Sequence, residues 1–190
     1  MYPEEIEANG HIYKINTDYR VALACFKAIN DDDINDTERA VAIITLLLGK
    51  DVQYKDYQVC LQKCAIYLRC GKEENDNPEE ADMDYLQDEE IIRTSIRQCY
   101  HENINERKIH WWEYNEMIEG LTEETALSKI RELRNYDLSD ETDSKIKNQI
   151  QKAKNQVALK KKIPQKEFTE EEIKNMEEFD RLINGGDKNV

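Results

Sequence analysis

The apolar positions of this chain recur mostly at three- and four-residue intervals, the period of a helix that buries one face. Tyr19, Leu23, Phe26 and Ile29 keep that spacing, and Thr17 or Asp18 stands where a cap belongs, predicting a helix to about Asn30. Asp31-Asp32-Asp33 breaks the pattern, and a second helix starts near Asp36 and stops at Gly49. Tyr57, Leu61, Cys64 and Leu68 predict a third over 54–70, with Gly71 as its C-terminal cap. Only at the start does the period fall to two. There Glu5 to Ala8 and His11 to Ile15 flank Asn9-Gly10, a pair that tolerates positive φ at both positions and so predicts a two-residue hairpin turn.

The second half is also helical. Ile91, Ile92, Ile96 and Cys99 predict one helix, and a tryptophan-bearing helix runs from about Asn105 to Glu119, ending at Gly120. Leu121-Thr122 restarts the chain with Glu123 and Glu124 in a first turn, where they complement the helix dipole, and Leu127, Ile130 and Leu133 carry that helix to Asn135. Ser139 is placed to cap another to about Lys162, closed by Pro164. Thr169-Glu170-Glu171-Glu172 reads as a capping box before Ile173, Met176, Phe179 and Ile183. The whole predicts a mainly α protein, a helical bundle of about seven or eight helices with a small N-terminal β-hairpin. Four stretches follow from composition: 1–71, hairpin plus helices; 72–84, an acidic loop; 85–162, helices including the tryptophan helix and a basic one; and 163–190, a short helix and frayed tail.

Trp111 and Trp112, the two tryptophans of the chain, are adjacent. Neighbouring helical residues point about 100° apart, so one helix face cannot bury both rings. On a helical wheel Trp111 joins Tyr114, Met117, Ile118 and Leu121 as a core stripe, with His110 at its edge. Trp112 falls on the other side, near Ile109 and among Glu113, Glu116 and Glu119. Either the helix is buried on two sides, or Ile109 and Trp112 are offered to a partner, tryptophan being a favoured interface anchor.

Charge narrows the function classes. The chain of 190 residues has a formal net charge of −14, which argues for solubility and against nucleic-acid binding by the chain as a whole. Residues 72–90 hold ten acids and one lysine, whereas residues 145–166 hold eight lysines and no acid. Lys152, Lys160, Lys161 and Lys162 of that basic stretch are candidates for docking on an acidic segment of a second copy or of a partner. No apolar run approaches a membrane span of about 20 residues, and the acidic start Met1-Tyr2-Pro3-Glu4-Glu5 has the wrong charge for a signal peptide. A cytoplasmic protein with free thiols is therefore expected.

No chemistry stands out. Cys60 and Cys64 have helical spacing, not the CxxC knuckles of structural zinc sites, and are expected in the core with no metal. The three histidines, His11, His101 and His110, make no recognisable nucleophile–base set, and no GxSxG, HExxH, Walker loop or GxGxxG occurs. The expectation is a protein that is not an enzyme, with no catalytic residues and no cofactor.

Several of these segments together resemble the bacteriophage gene-product-fifteen family. The likeness lies in Ile109-His110-Trp111-Trp112-Glu113-Tyr114, Ile118-Glu119-Gly120-Leu121-Thr122 and Ile130-Arg131-Glu132-Leu133-Arg134-Asn135-Tyr136-Asp137-Leu138-Ser139. It extends to the Asn-Gly hairpin, Tyr13-Lys14-Ile15-Asn16-Thr17-Asp18-Tyr19-Arg20, Cys70-Gly71-Lys72 and Met83-Asp84-Tyr85, and covers roughly residues 5–162. The resemblance implies a phage morphogenesis protein in the host cell cytoplasm. Its implied role is a tail assembly chaperone that binds the tape measure protein during tail assembly and self-associates into a homo-oligomer along that client. Two other readings stay open: a head–tail connector, adaptor or tail component of the virion, and an acidic host-directed inhibitor. The lysine-rich helix argues against the inhibitor, because mimicry of nucleic acid needs an unbroken negative face.

Overall fold

A computed structural model of the chain describes residues 1–72, 81–139, 141 and 143–160. Its elements are β1 (Glu5–Ala8), β2 (His11–Lys14), α1 (Tyr19–Ile29), α2 (Asp36–Leu48), a 3-10 turn (Tyr54–Asp56), α3 (Tyr57–Leu68), α4 (Glu89–Tyr100), α5 (Trp111–Glu119), α6 (Ala126–Asn135) and α7 (Ser144–Val157). The protein is mainly α with an N-terminal β-hairpin, as the apolar period requires. It divides into two compact units. Ile109–Glu113 cluster with the N-terminal segment, while Tyr114–Lys162 cluster with the segment ending at Lys108.

In the first unit β1 and β2 pair antiparallel, Ala8 opposite His11, around the Asn9-Gly10 turn. Both turn residues have positive φ, +49° and +83°. Asp56 ties this hairpin to the turn preceding α3. Its carboxylate is fully buried and accepts from Asn9 Nδ2 at 2.8 Å and from the Tyr13 hydroxyl at 2.7 Å, with His11 Nδ1 at 2.9 Å. The Tyr13 hydrogen bond, helped by Asn9 and His11, outweighs burial and holds the Asp56 carboxyl below its ordinary range. Helix α1 packs on α2, α2 on α3, and α3 on β1. Asn35 and Glu38 form a capping box that starts α2, and Ala40, Ile43, Ile44 and Leu47 bury one face of it. Gly49 ends it at φ +86°, ψ −171°, a conformation essentially restricted to glycine.

In the second unit α4 buries Ile92, Ser95 and Ile96. Ser95 Oγ accepts the Leu127 N–H at 3.1 Å, satisfying one of the unpaired donors in the first turn of α6, while Thr125 caps the same turn through Ser128 N. The helix therefore begins after Glu123 and Glu124, not with them. Arg134 of α6 forms a two-pronged pair with Asp88, at 2.7 and 2.8 Å, with side chains only 8% and 2% exposed. It also donates to the carbonyls of Asp82 and Val157, while Arg131 and Asn135 hold the Asp82 carboxylate. Asp84 N–H donates to Asp88 Oδ2 at 3.0 Å, so the Met83-Asp84-Tyr85 and Arg131–Arg134 motifs meet in one polar network at Asp88.

Three further expectations need correction. The tryptophan helix begins at Trp111, not near Asn105, because His110 is drawn into an isolated β-bridge with Asp18. The left-handed residue after α3 is Cys70, φ +56°, with Gly71, φ +74°, one place beyond it. Helix α7 is capped by Asp143 instead of Ser139, whose hydroxyl bonds to Asp137, and it ends at Val157. The expected C-terminal helix at 169–183 and most of the expected acidic loop lie outside the described residues.

Candidate functional site

The tryptophan pair does local structural work. The chain enters α5 through the bridge, with Tyr19 N–H donating to Ile109 O at 2.9 Å and Trp111 N–H to Thr17 O at 2.8 Å. His110 Nδ1 accepts the Trp112 N–H at 3.0 Å, and a backbone amide can only donate. That assigns the neutral Nε2–H tautomer, with Nε2 donating to Pro3 O at 3.0 Å. The imidazole stacks on Tyr2 at a 4.8 Å centroid distance, so His110 serves as a cap for the helix start.

Both indoles then turn to the end of α3. Trp111 Nε1 donates to Leu68 O, and Trp112 Nε1 to Tyr67 O, each at 3.0 Å. A helix leaves its last four carbonyls without internal partners. Here Arg69 N–H takes Ala65 O, Gly71 N–H takes Ile66 O, Cys70 N–H shares Tyr67 O with Trp112, and Trp111 takes Leu68 O. The 71→66 and 70→67 bonds are those of a Schellman turn. Trp111 is buried, with its ring 5.7 Å from Phe26, while Trp112 is half-buried and stacks on Tyr67 at 6.2 Å. Ile109 is wholly buried and precedes the helix, so it does not share a helical face with Trp112. Of the five residues the wheel placed on the core stripe, Trp111, Tyr114, Met117 and Ile118 are buried, while Leu121, beyond the end of α5, is half-buried.

The basic helix presents a different surface. None of the residues of α7 is buried. Ile146, Ile150, Ala153 and Val157 recur at helical spacing, yet Ile146 is 44% exposed and the other three are only half-covered. Helix α7 packs against α6, and Lys154 donates to the Tyr136 carbonyl. Lys145, Lys147 and Lys152 are exposed. Lys160 is exposed as well, with its backbone N–H bonded to Gln87 Oε1 at 3.0 Å, while Gln87 Nε2 donates to Ala158 O. Lys161 and Lys162 lie outside the described residues.

Cys25, Cys60 and Cys64 are buried free thiols, and the described residues contain no cluster of histidine, cysteine and carboxylate groups able to hold a metal. Burial pushes the Cys25 thiol up to about 12. Burial and the nearby Asp56 carboxylate push Cys60 up to about 11. No described helix is long and apolar enough to cross a membrane.

These features define a mainly helical protein whose aromatic pair is spent on its own architecture and whose outer helices carry charge. The family model described as bacteriophage Gp15 protein matches residues 2–159, and the chain belongs to that family: it is a bacteriophage protein. No curated protein and no solved structure matches it.

Proposed function

We propose that this phage protein is a tail assembly chaperone that binds the tape measure protein in the host cytoplasm and self-associates along it, acting by binding and not by catalysis. The observation that carries the reading is α7, a helix of 14 residues with no buried side chain and a half-covered apolar stripe between lysines. Such a surface suits a partner that lays a helix along it, with apolar anchors for affinity and charges for register. The match to a phage family supplies the setting.

Co-expression with the tape measure protein of the same phage is the test. A soluble complex that co-purifies is the expected result. An insoluble tape measure protein with no bound partner overturns the proposal. A protein retained in purified virions would instead favour the connector or tail-component reading.

A further inference from the structure

Arginine is paired with carboxylate through most of this acidic chain. Arg20 pairs with Asp18, Arg39 with Asp36, Arg107 with Glu102, Arg131 with Asp82 and Arg134 with Asp88. Arg93 and Arg97 form no such pair among the described residues, although the chain has 41 acidic residues. Both are exposed and stand one turn apart on α4. With Tyr100 they occupy positions i, i+4 and i+7 of a stripe that flanks buried Ile92, Ser95 and Ile96.

The two arginines and Thr94, with Asn103 and Asn105, line an open surface pocket of about 370 Å³. Its rim is held in place, because Asn103 donates to Glu106 Oε1 at 2.6 Å and accepts the Asn105 N–H at 3.3 Å. Tyr100, 37% exposed, is set at the end of the same face with its hydroxyl over Gly120, where a Cβ would collide with it. Arginine and tyrosine are the residue types that anchor protein interfaces.

The charge and spacing select the occupant. Each guanidinium offers a planar fork that fits one carboxylate, and forks one helical turn apart match carboxylates one turn apart on another helix. An exposed ion pair is worth only about 0–1 kcal/mol, so a free small anion would be held weakly. A long polyanion such as nucleic acid is repelled by the −14 chain as a whole, whereas a single acidic helix brings few charges and meets the two guanidinium groups locally.

We infer that the Arg93–Arg97–Tyr100 face of α4 docks an acidic helical segment of another protein. Two carboxylates one turn apart meet the arginines at the cavity, and an apolar neighbour lies on Tyr100. This inference rests on the client reading above and gives that client a chemical character.

The test uses full-length tagged protein co-expressed with the tape measure protein, comparing wild type, Arg93→Glu with Arg97→Glu, and Lys145→Glu with Lys152→Glu. The arginine reversal is expected to lower the retained client about tenfold or more at unchanged circular dichroism and Tm, since both side chains are exposed and form no ion pair among the described residues. Should that variant melt early, Arg93→Lys with Arg97→Lys replaces it, keeping charge but losing the forks, and the same loss in smaller degree is expected. A complex that survives the arginine changes, or is lost only in the α7 variant, overturns this inference and leaves the client reading intact. Loss of self-association with client binding unchanged assigns the face to a second copy and also overturns it. No complex with wild type overturns both.

Discussion

The indole of Trp112 lies against Gly71, so close that a Cβ at residue 71 would come within 3.0 Å of Trp112 Cη2. Gly71 also holds φ +74°, which side-chain-bearing residues adopt only at a cost. Gly71→Ala therefore combines backbone strain with a clash at the end of α3. A loss of about 1–3 kcal/mol is expected by urea unfolding. Gly10→Ala is the comparison, because Gly10 also holds a positive φ, +83°, in the hairpin turn but has nothing within 4 Å of a new Cβ. Equal losses in the two variants would mean that the Trp112 contact contributes nothing.

Trp111→Phe and Trp112→Phe should separate the two indole N–H groups. Trp111→Phe removes the side-chain donor that Leu68 O receives in a buried setting, and about 1–3 kcal/mol is expected. Trp112→Phe should cost less, because Tyr67 O keeps the Cys70 N–H at 3.0 Å. Thermal or urea unfolding of the pair checks the order, and a larger loss at Trp112 would contradict it.

Arg134→Ala strands the Asp88 carboxylate, which is 2% exposed, without its guanidinium. Breaking a buried pair from one side typically costs about 3–5 kcal/mol, so this variant should be among the least stable single substitutions. Arg134→Lys keeps a charge but cannot reproduce four donated bonds to three residues, and an intermediate loss is expected by the same measurement.

The buried thiols predict an alkaline limit to stability. Cys25 and Cys60 are raised to about 12 and about 11, and Cys64 is raised as well, whereas an unfolded thiol titrates near about 8.5. Above that pH the unfolded chain holds fewer protons than the folded one, so the free energy of unfolding falls as pH rises. Unfolding midpoints measured from pH 8 to 10.5 should decline, and Cys60→Ala should flatten the decline. Thiol titration of the native protein should label half-buried Cys70 and Cys99 before Cys25, Cys60 and Cys64. Equal labelling rates for all five would argue against this packing.

The seven helices among the described residues, the hairpin and most of the core stripe of the tryptophan helix were legible in the chain. The capping box at Asn35 and Glu38 is likewise a local signal, spaced three residues apart immediately around the first turn of α2. The start of α5 was not legible. Residues 105–110 carry no strong helix breaker, and what stops the helix there is a bridge to Asp18 far along the chain. The candidate surface on α4 was equally hidden. Arg93 and Arg97 look like any basic residues on a solvated helix face, and only folding brings carboxylates to Arg20, Arg39, Arg107, Arg131 and Arg134 while bringing none of the described ones to these two.

The sequence by itself determined the elements whose causes lie within a few residues: the Asn9-Gly10 turn, the apolar periods of the helices and the glycine stop at Gly49. Turn geometry, helical spacing and side-chain caps act over one or two turns, so local composition suffices to specify them. Tertiary structure decided where Trp111 and Trp112 point, which carboxylate Arg134 takes and which arginines find no carboxylate among the described residues. These outcomes depend on backbone carbonyls and buried charges that must find partners, and the partners are brought near only when distant segments pack.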